Sequence, residues 1–126
     1  MNGTEVLMTQ SLEDYLETIY RLITENRVAQ VRDIAKSLGV TMPSVVKAIR
    51  ELMKLGLATH EPYGGVDLTL KGKRVARSVL SRHRLLRTFL MKLGVGQRMA
   101  DRDACLMEHI LSAETMDKIR IFTEKH

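Results

Sequence analysis

Three residues near the C-terminal end of the chain have the types and spacing of metal ligands. Cys105, Glu108 and His109 occupy positions i, i+3 and i+4, so in a helix their side chains project from one face and can reach a common centre. Divalent transition metals accept thiolate, carboxylate and imidazole together. The spacing leaves a second interpretation open, because cysteine and histidine on an amphipathic helix also serve as core or surface residues. Cys105 is therefore either a ligand or a core residue.

Other residues of the same chemical types lie elsewhere in the chain. Asp14 and Glu17 have i, i+3 spacing within a run whose apolar residues recur with the period of a helix. His83 lies between Arg82 and Arg84 in the longest helical pattern. A metal site that used all of these residues would need several helices to position its ligands.

The composition is typical of an ordered, helix-rich globular protein. The chain has 126 residues, of which 44% are hydrophobic and 28% are charged, so it can bury a hydrophobic core without disulfides. Its one cysteine cannot form an internal disulfide, which indicates a reducing compartment. No apolar run is long enough to span a bilayer, and residues 1–10 lack the pattern of a secretory signal. We therefore expect a cytoplasmic protein with no membrane partner.

Charge is segregated along the chain. The formal net charge is +5, but residues 68–92 contain eight basic residues and no acidic one. Residues 1–25 contain five acidic residues and one basic residue, and residues 101–114 contain four acidic residues and one basic residue. A basic middle segment suits a polyanion such as nucleic acid, and acidic flanks suit a cation.

The hydrophobic pattern predicts a mainly α fold with one hairpin. Helices are predicted at residues 12–25, with Ser11 as N-cap, at 31–38 ending at Gly39, and from the N-cap Thr41 to residue 55. Strands are predicted at 57–61 and 66–70 around a turn at 62–65. Three more helices are predicted at 71–93, 99–111 and 114–124.

The order of these elements predicts a winged helix-turn-helix domain. A tight turn joins two short helices and a hairpin follows directly, which is the arrangement of a recognition helix and a wing. We therefore predict a winged-helix DNA-binding domain at residues 1–72, followed by an all-helical domain at residues 73–126 that contains the Cys105, Glu108 and His109 triplet. Apolar residues in the last two helices exceed the need of one small helical layer, which favours a homodimer.

Several polar residues of the winged helix are candidate DNA contacts. Base contacts come from the exposed side of the second helix, and nearby basic side chains bind phosphate. The candidates on the second helix and its N-cap are Thr41, Pro43, Ser44, Lys47 and Arg50. The candidate phosphate contacts are Arg32, Lys36, Lys71, Lys73 and Arg74.

Five stretches in the same order resemble the diphtheria-toxin-repressor family, which includes iron-dependent and manganese-transport regulators. The stretches are residues 11–20 (SLEDYLETIY), 31–40 (VRDIAKSLGV), 68–72 (LTLKG), 82–86 (RHRLL) and 105–112 (CLMEHILS). The resemblance extends from about residue 8 to residue 120. It implies that residues 73–126 form a helical dimerisation and metal-binding domain. It also implies a repressor that binds double-stranded operator DNA as a homodimer when metal is bound and controls metal-uptake genes.

The resemblance also implies a ligand set and a departure from each family type. The implied ligands are Asp14, Glu17, His83, Cys105, Glu108 and His109. The manganese type has glutamate where this chain has Cys105, whereas the iron type has methionine where this chain has Asp14. The second metal site of the iron type would need a carboxylate and a histidine at positions that hold Arg87 and Asp101, so we expect it to be absent.

The donor types set the expected cofactor. Carboxylates suit manganese(II) and iron(II), while a thiolate favours iron(II), cobalt or zinc. We therefore expect manganese(II) or iron(II), with zinc or cobalt able to occupy the site in vitro.

Two other function classes share part of this pattern. A metal-independent winged-helix regulator would sense a small molecule or thiol oxidation at Cys105, and it would not need carboxylates around the thiol. A metallohydrolase would use similar ligands with an open position for water, but the sequence shows no separate general base and no lid-like loop. We therefore expect a regulator and not an enzyme.

Overall fold

The computed structural model describes residues 9–26, 28–62 and 64–126, and within them the fold is mainly α, as predicted. Tyr63 of the predicted hairpin turn and residues 1–8 lie outside the described part. The elements, in chain order, are α1 (Gln10–Asn26), α2 (Val31–Leu38), α3 (Met42–Lys54), β1 (Ala58–His60), β2 (Val66–Leu68), α4 (Leu70–Lys92), α5 (Gln97–Ile110) and α6 (Ala113–Lys125). The helix boundaries agree with those predicted to within two residues.

The prediction that Ser11 caps the first helix is wrong. The helix begins at Gln10, and Thr9 Oγ1 accepts a hydrogen bond from the Leu12 amide at 3.1 Å. The Thr9 carbonyl also accepts from the Glu13 amide at 3.0 Å. Both residues have a hydroxyl that can cap a helix, but this helix starts two residues earlier than predicted, so the Thr9 hydroxyl satisfies the Leu12 amide.

The first compact unit ends at Arg77 and contains the helix-turn-helix. Gly39 closes α2 with a φ of 67°, a left-handed conformation that glycine adopts without strain. Thr41 then caps α3, since its side chain accepts from the Ser44 amide. The core of this unit joins α1, α2 and α3, and its fully buried members include Leu16, Ile19, Ile34, Val45, Ile49 and Leu52.

The hairpin that follows α3 is shorter than predicted. β1 pairs antiparallel with β2, with Ala58 opposite Leu68 and His60 opposite Val66. The Val66 amide also donates to the Ala29 carbonyl at 2.7 Å, which joins the segment after α1 to the wing.

The second strand stops early because Thr69 caps the next helix. Its hydroxyl donates to the Gly56 carbonyl at 2.7 Å and accepts from the Gly72 amide at 3.0 Å. Leu70 therefore starts α4 and does not extend the strand.

Gly72 is required where α4 begins, and its replacement is a test of this packing. A side-chain carbon at this buried position would overlap the carbonyl oxygen of Leu57. We expect Gly72→Ser to lower the free energy of unfolding by about 1–3 kcal/mol, because backbone must shift to make room. Urea denaturation followed by circular dichroism measures this change.

Gly96→Ser provides the matched control for that substitution. No atom lies within 4 Å of a carbon added at Gly96, and serine is favoured at the N-cap position that this residue occupies. An equal loss of stability in both variants would contradict the overlap at Gly72.

The second compact unit comprises Ser78–His126. Its buried centre is formed by Leu86, Ala104 and Met116, which come from α4, α5 and α6. Lys92 Nζ donates to the Thr123 carbonyl at 2.8 Å, so the ends of α4 and α6 are joined by a hydrogen bond. Within the described ranges, no helix is both long and apolar enough to cross a membrane.

Candidate metal centre and nucleic-acid interface

The Cys105, Glu108 and His109 triplet lies in the last turns of α5, as its spacing predicted. The three side chains differ in burial: Glu108 is only 4% exposed, Cys105 is half-buried and His109 is exposed. A buried carboxylate is costly unless a cation or hydrogen-bond donors stabilise it. Because it is buried, Glu108 is a stronger candidate for binding a cation than a surface glutamate would be.

His83 presents a buried nitrogen with no protein partner. Its side chain is 18% exposed on α4. Within the described residues, Nδ1 is buried and has no hydrogen-bond partner. The other ring nitrogen, Nε2, lies 3.7 Å from Asp101 Oδ1 on α5. A buried imidazole nitrogen with an unused electron pair is a typical metal donor.

Asp14 and Glu17 are both half-buried on α1, in the first compact unit. Tyr15 lies between them in sequence and is buried, and this burial raises the pKa of its phenol. Tyr15 therefore acts as a neutral core residue beside two candidate carboxylate ligands.

The donor types fit a divalent metal, but the side chains do not form a closed ligand group. Across residues 9–26, 28–62 and 64–126, no three His, Cys, Asp or Glu side chains lie close enough together to hold an ion. The structure brings three of the six predicted ligands onto one helix, α5, and two onto α1.

The two positions where a second metal site was expected to be absent form an ion pair. Arg87 Nε donates to Asp101 Oδ1 at 2.7 Å, and His83 approaches the same oxygen atom. Sequence reasoning treated Arg87 and Asp101 only as missing ligands and did not identify this pair. A signal was available: Arg87 is four residues after His83, and Asp101 is four residues before Cys105, so each shares a helix face with a candidate ligand.

The recognition helix α3 has one buried face and one exposed face. Its buried residues are Val45, Ala48, Ile49 and Leu52. Pro43, Ser44, Lys47 and Arg50 are all exposed, as an interface for the major groove requires. Thr41 Oγ1 and Ser44 Oγ lie 2.8 Å apart, so these two hydroxyls share a hydrogen bond at the start of the helix.

The predicted phosphate contacts differ in exposure and in the hydrogen bonds that they already make. Arg32 and Lys36 are exposed on α2. Lys71 is also exposed, but its Nζ donates to the Leu55 carbonyl at 3.3 Å. Lys73 is half-buried at the start of α4. Arg32 and Lys36 are therefore better placed to reach a polyanion without losing an existing contact.

Met42 is a candidate contact that the sequence reasoning did not single out. It is the first residue of α3 and is 51% exposed. An apolar side chain at this end of a recognition helix suits the methyl group of thymine. The sequence signal for this contact was the position of Met42 directly before Pro43, in the first turn of the predicted helix.

Two family models match almost the whole chain. The model described as iron dependent repressor, N-terminal DNA binding domain, matches residues 7–66. The model described as iron dependent repressor, metal binding and dimerisation domain, matches residues 69–125. These matches confirm the resemblance that the sequence motifs indicated.

Individual relatives agree with the family models. Transcriptional regulator MntR of Escherichia coli O6:H1 is 43% identical over 115 residues, which cover 91% of this chain and 74% of that protein. An uncharacterized helix-turn-helix-type regulator of Methanocaldococcus jannaschii is 40% identical over 120 residues, covering 94% of this chain and 96% of that protein.

A solved structure supports the same assignment. The manganese regulator SloR superposes with a TM-score of 0.82 at 30% identity, over 93% of this chain and 55% of that chain. This chain therefore spans about half of that structure. On the evidence of both family models and these relatives, the chain belongs to the iron-dependent repressor family of metal-dependent, DNA-binding transcriptional regulators, which are not enzymes.

Proposed function

We propose that this chain represses metal-uptake genes in the cytoplasm by binding operator DNA as a homodimer when manganese(II) or iron(II) occupies its sensor site. One observation carries most of the support: a single chain contains an exposed basic recognition helix and, in a separate compact unit, a ligand triplet on α5 with a buried glutamate. The division of the two functions at residues 72 and 73 stays a prediction.

The proposed ligands are the six residues identified from the family pattern. They are Asp14, Glu17, His83, Cys105, Glu108 and His109. A bound divalent ion would supply positive charge that offsets the three carboxylates. The carboxylates of Asp14 and Glu17 share a helix face by their i, i+3 spacing, so a cation bound there would offset the repulsion between them.

The ligand types favour iron(II) or manganese(II) over harder ions. The five oxygen and nitrogen donors would suit manganese, while the Cys105 thiolate favours iron(II), zinc or cobalt. Zinc and cobalt are therefore expected to bind in vitro. Cys105 is the residue at which the preference for one metal over another is decided.

The proposed DNA contacts fall into two groups. Met42, Pro43, Ser44, Lys47 and Arg50 face the base edges from α3, with Thr41 at its N-terminus. Arg32 and Lys36, with Lys71 and Lys73, contact phosphates. Arginine and lysine pair with guanine edges, and sequence-independent affinity comes from the phosphate contacts.

A homodimer is supported by apolar surface on the second compact unit. Leu93, Met99, Leu106, Ile110 and Phe122 are all exposed large hydrophobic residues. A groove of about 470 Å³ on this unit is lined mainly by apolar side chains of α4 and α6. Such surface is typical of an interface. Two copies would present two recognition helices to successive major grooves of a palindromic operator.

Fluorescence anisotropy with a duplex selected from random sequence tests this function. We expect manganese(II) or iron(II) to raise the affinity of the chelator-treated protein for that duplex by about 5- to 150-fold, the usual range of allosteric coupling. By linkage, the same duplex should tighten metal binding by the same factor.

Affinity that does not change between chelator and added metal would contradict the proposed function. A change caused instead by oxidation of Cys105 under metal-free conditions would favour the metal-independent regulator. Under metal-free conditions a Cys105→Ser protein should lose a response to oxidation, because it cannot be oxidised to a disulfide or sulfenic acid.

A further inference from the structure

A cluster of three side chains links α4 to α5 inside the second compact unit. Arg87 Nε lies 2.7 Å from Asp101 Oδ1, and His83 Nε2 lies 3.7 Å from the same oxygen. His83 and Arg87 are one helical turn apart on α4, so both face the α5 residue Asp101. The first contact is a hydrogen-bonded ion pair, and the second is an electrostatic contact longer than a hydrogen bond.

The carboxylate favours one tautomer of the His83 ring. A neutral imidazole carries a proton on one nitrogen and an electron pair on the other. With the proton on Nε2, a positive N–H end faces the Asp101 carboxylate. With the proton on Nδ1, the electron pair of Nε2 would face that negative charge, and a buried N–H would have no acceptor among the described residues. Both effects place the electron pair on Nδ1.

Arg87 fixes the carboxylate that has this effect. A guanidinium is charged at all physiological pH values and binds carboxylates in defined geometry. The Arg87 contact therefore keeps Asp101 oriented toward α4 and occupies the oxygen that would otherwise be open to a cation. Asp101 is also one turn before Cys105 on α5, so the pair lies on the same helix face as the first residue of the ligand triplet.

We propose that Asp101, held by Arg87, is a positioning residue that sets the Nε2–H tautomer of His83 and so presents Nδ1 to the metal. The part of this proposal that concerns metal rests on the proposed function. The part that concerns the tautomer rests only on the His83, Arg87 and Asp101 contacts. Carboxylate partners of this kind orient metal-binding histidines and raise their basicity as ligands.

Long-range proton–nitrogen NMR of the metal-free protein tests the tautomer directly. A His83→Gln protein identifies the His83 signals by their loss. We expect the wild type to show the Nε2–H pattern, and we expect Asp101→Asn to weaken this preference. An Nδ1–H pattern in the wild type, or an unchanged pattern in Asp101→Asn, would overturn the proposal.

Competition between the protein and a fluorescent indicator for manganese(II) tests the consequence for binding. Asp101→Asn should weaken manganese binding by about 10- to 100-fold, the range found for lost outer partners of metal ligands. Asp101→Glu should recover part of this loss. The control is Asp117→Asn, which removes an exposed ion pair of the same 2.7 Å length, with Arg120, on α6. Equal affinities of the Asp101→Asn and wild-type proteins would overturn the positioning role.

The Arg87→Gln substitution tests whether Arg87 acts through Asp101. It should weaken manganese binding in the wild-type background and have no further effect in the Asp101→Asn background. Equal losses in both backgrounds would remove Arg87 from the proposal. Failure of the proposed function is distinguishable: it would appear as operator affinity that ignores metal, whatever tautomer His83 adopts.

Discussion

In the Glu108→Gln protein, manganese(II) or iron(II) is expected to have no effect on operator affinity. Glu108 is 4% exposed on α5, and glutamine has nearly the same shape without the charge. The substitution thus removes a charged ligand and leaves the volume of the side chain intact. The gain of about 5- to 150-fold that metal provides should disappear. Anisotropy titrations with chelator and with metal measure the effect.

Non-specific DNA binding should survive this substitution. The proposed phosphate contacts lie on α2 and at the start of α4, in the other compact unit, and their contribution depends on salt and not on metal. The metal content of the variant, measured by mass spectrometry, should fall together with the response to metal. A response that persists at the wild-type level would exclude Glu108 from the ligand set.

Two further variants keep this test informative if the Glu108→Gln protein misfolds. Glu124→Gln makes the same chemical change at an exposed position in the last turn of α6, and it should leave the metal response intact. His109→Ala alters an exposed proposed ligand, so it should abolish the response with little change in thermal stability. A wild-type response in His109→Ala would contradict the proposed ligand set even if Glu108→Gln failed to fold.

Helix boundaries were predictable where one residue had a single strong local role. Gly39 ends α2 because it adopts a positive φ, and Thr41 begins α3 because its hydroxyl can accept an amide hydrogen bond. The start of α1 was wrong because Thr9 and Ser11 are both good caps. The hydrogen bond from the Leu12 amide to the Thr9 hydroxyl identifies the cap in the folded protein, and local sequence does not distinguish the two residues.

The candidate site was predictable within a helix and not between helices. Spacing placed Cys105, Glu108 and His109 on α5 because helical geometry fixes which residues share a face. It could not show that Glu108 is buried while His109 is exposed, since burial depends on which helix packs against α5. The contact between Arg87 and Asp101 was missed for the same reason, because it joins residues of two helices.

The recognition helix offers the second large effect: Arg50→Ala is expected to weaken specific binding to the selected operator by about 5- to 150-fold. Arg50 is exposed on α3, opposite the buried face formed by residues such as Ile49. An arginine with both donor groups on one guanine contributes about 1–3 kcal/mol of discrimination against other bases. Anisotropy with the selected duplex and with a scrambled duplex measures both affinity and specificity.

Lys47 allows base recognition and phosphate binding to be separated on the same helix. If Lys47 binds phosphate, Lys47→Ala should weaken binding to both duplexes alike and reduce the slope of log affinity against log salt by about 1. Arg50→Ala should instead weaken binding to the selected duplex more than to the scrambled one.

The matched control is Lys54→Ala, because Lys54 is exposed in the last turn of α3, away from the helix N-terminus. It should cause a smaller change than either substitution. Lys54 is one helical turn after Arg50 and carries the same charge, so an effect of Lys54→Ala equal to that of Arg50→Ala would show that charge alone governs binding. The orientation of α3 in the major groove would then be wrong, even if the metal response remained.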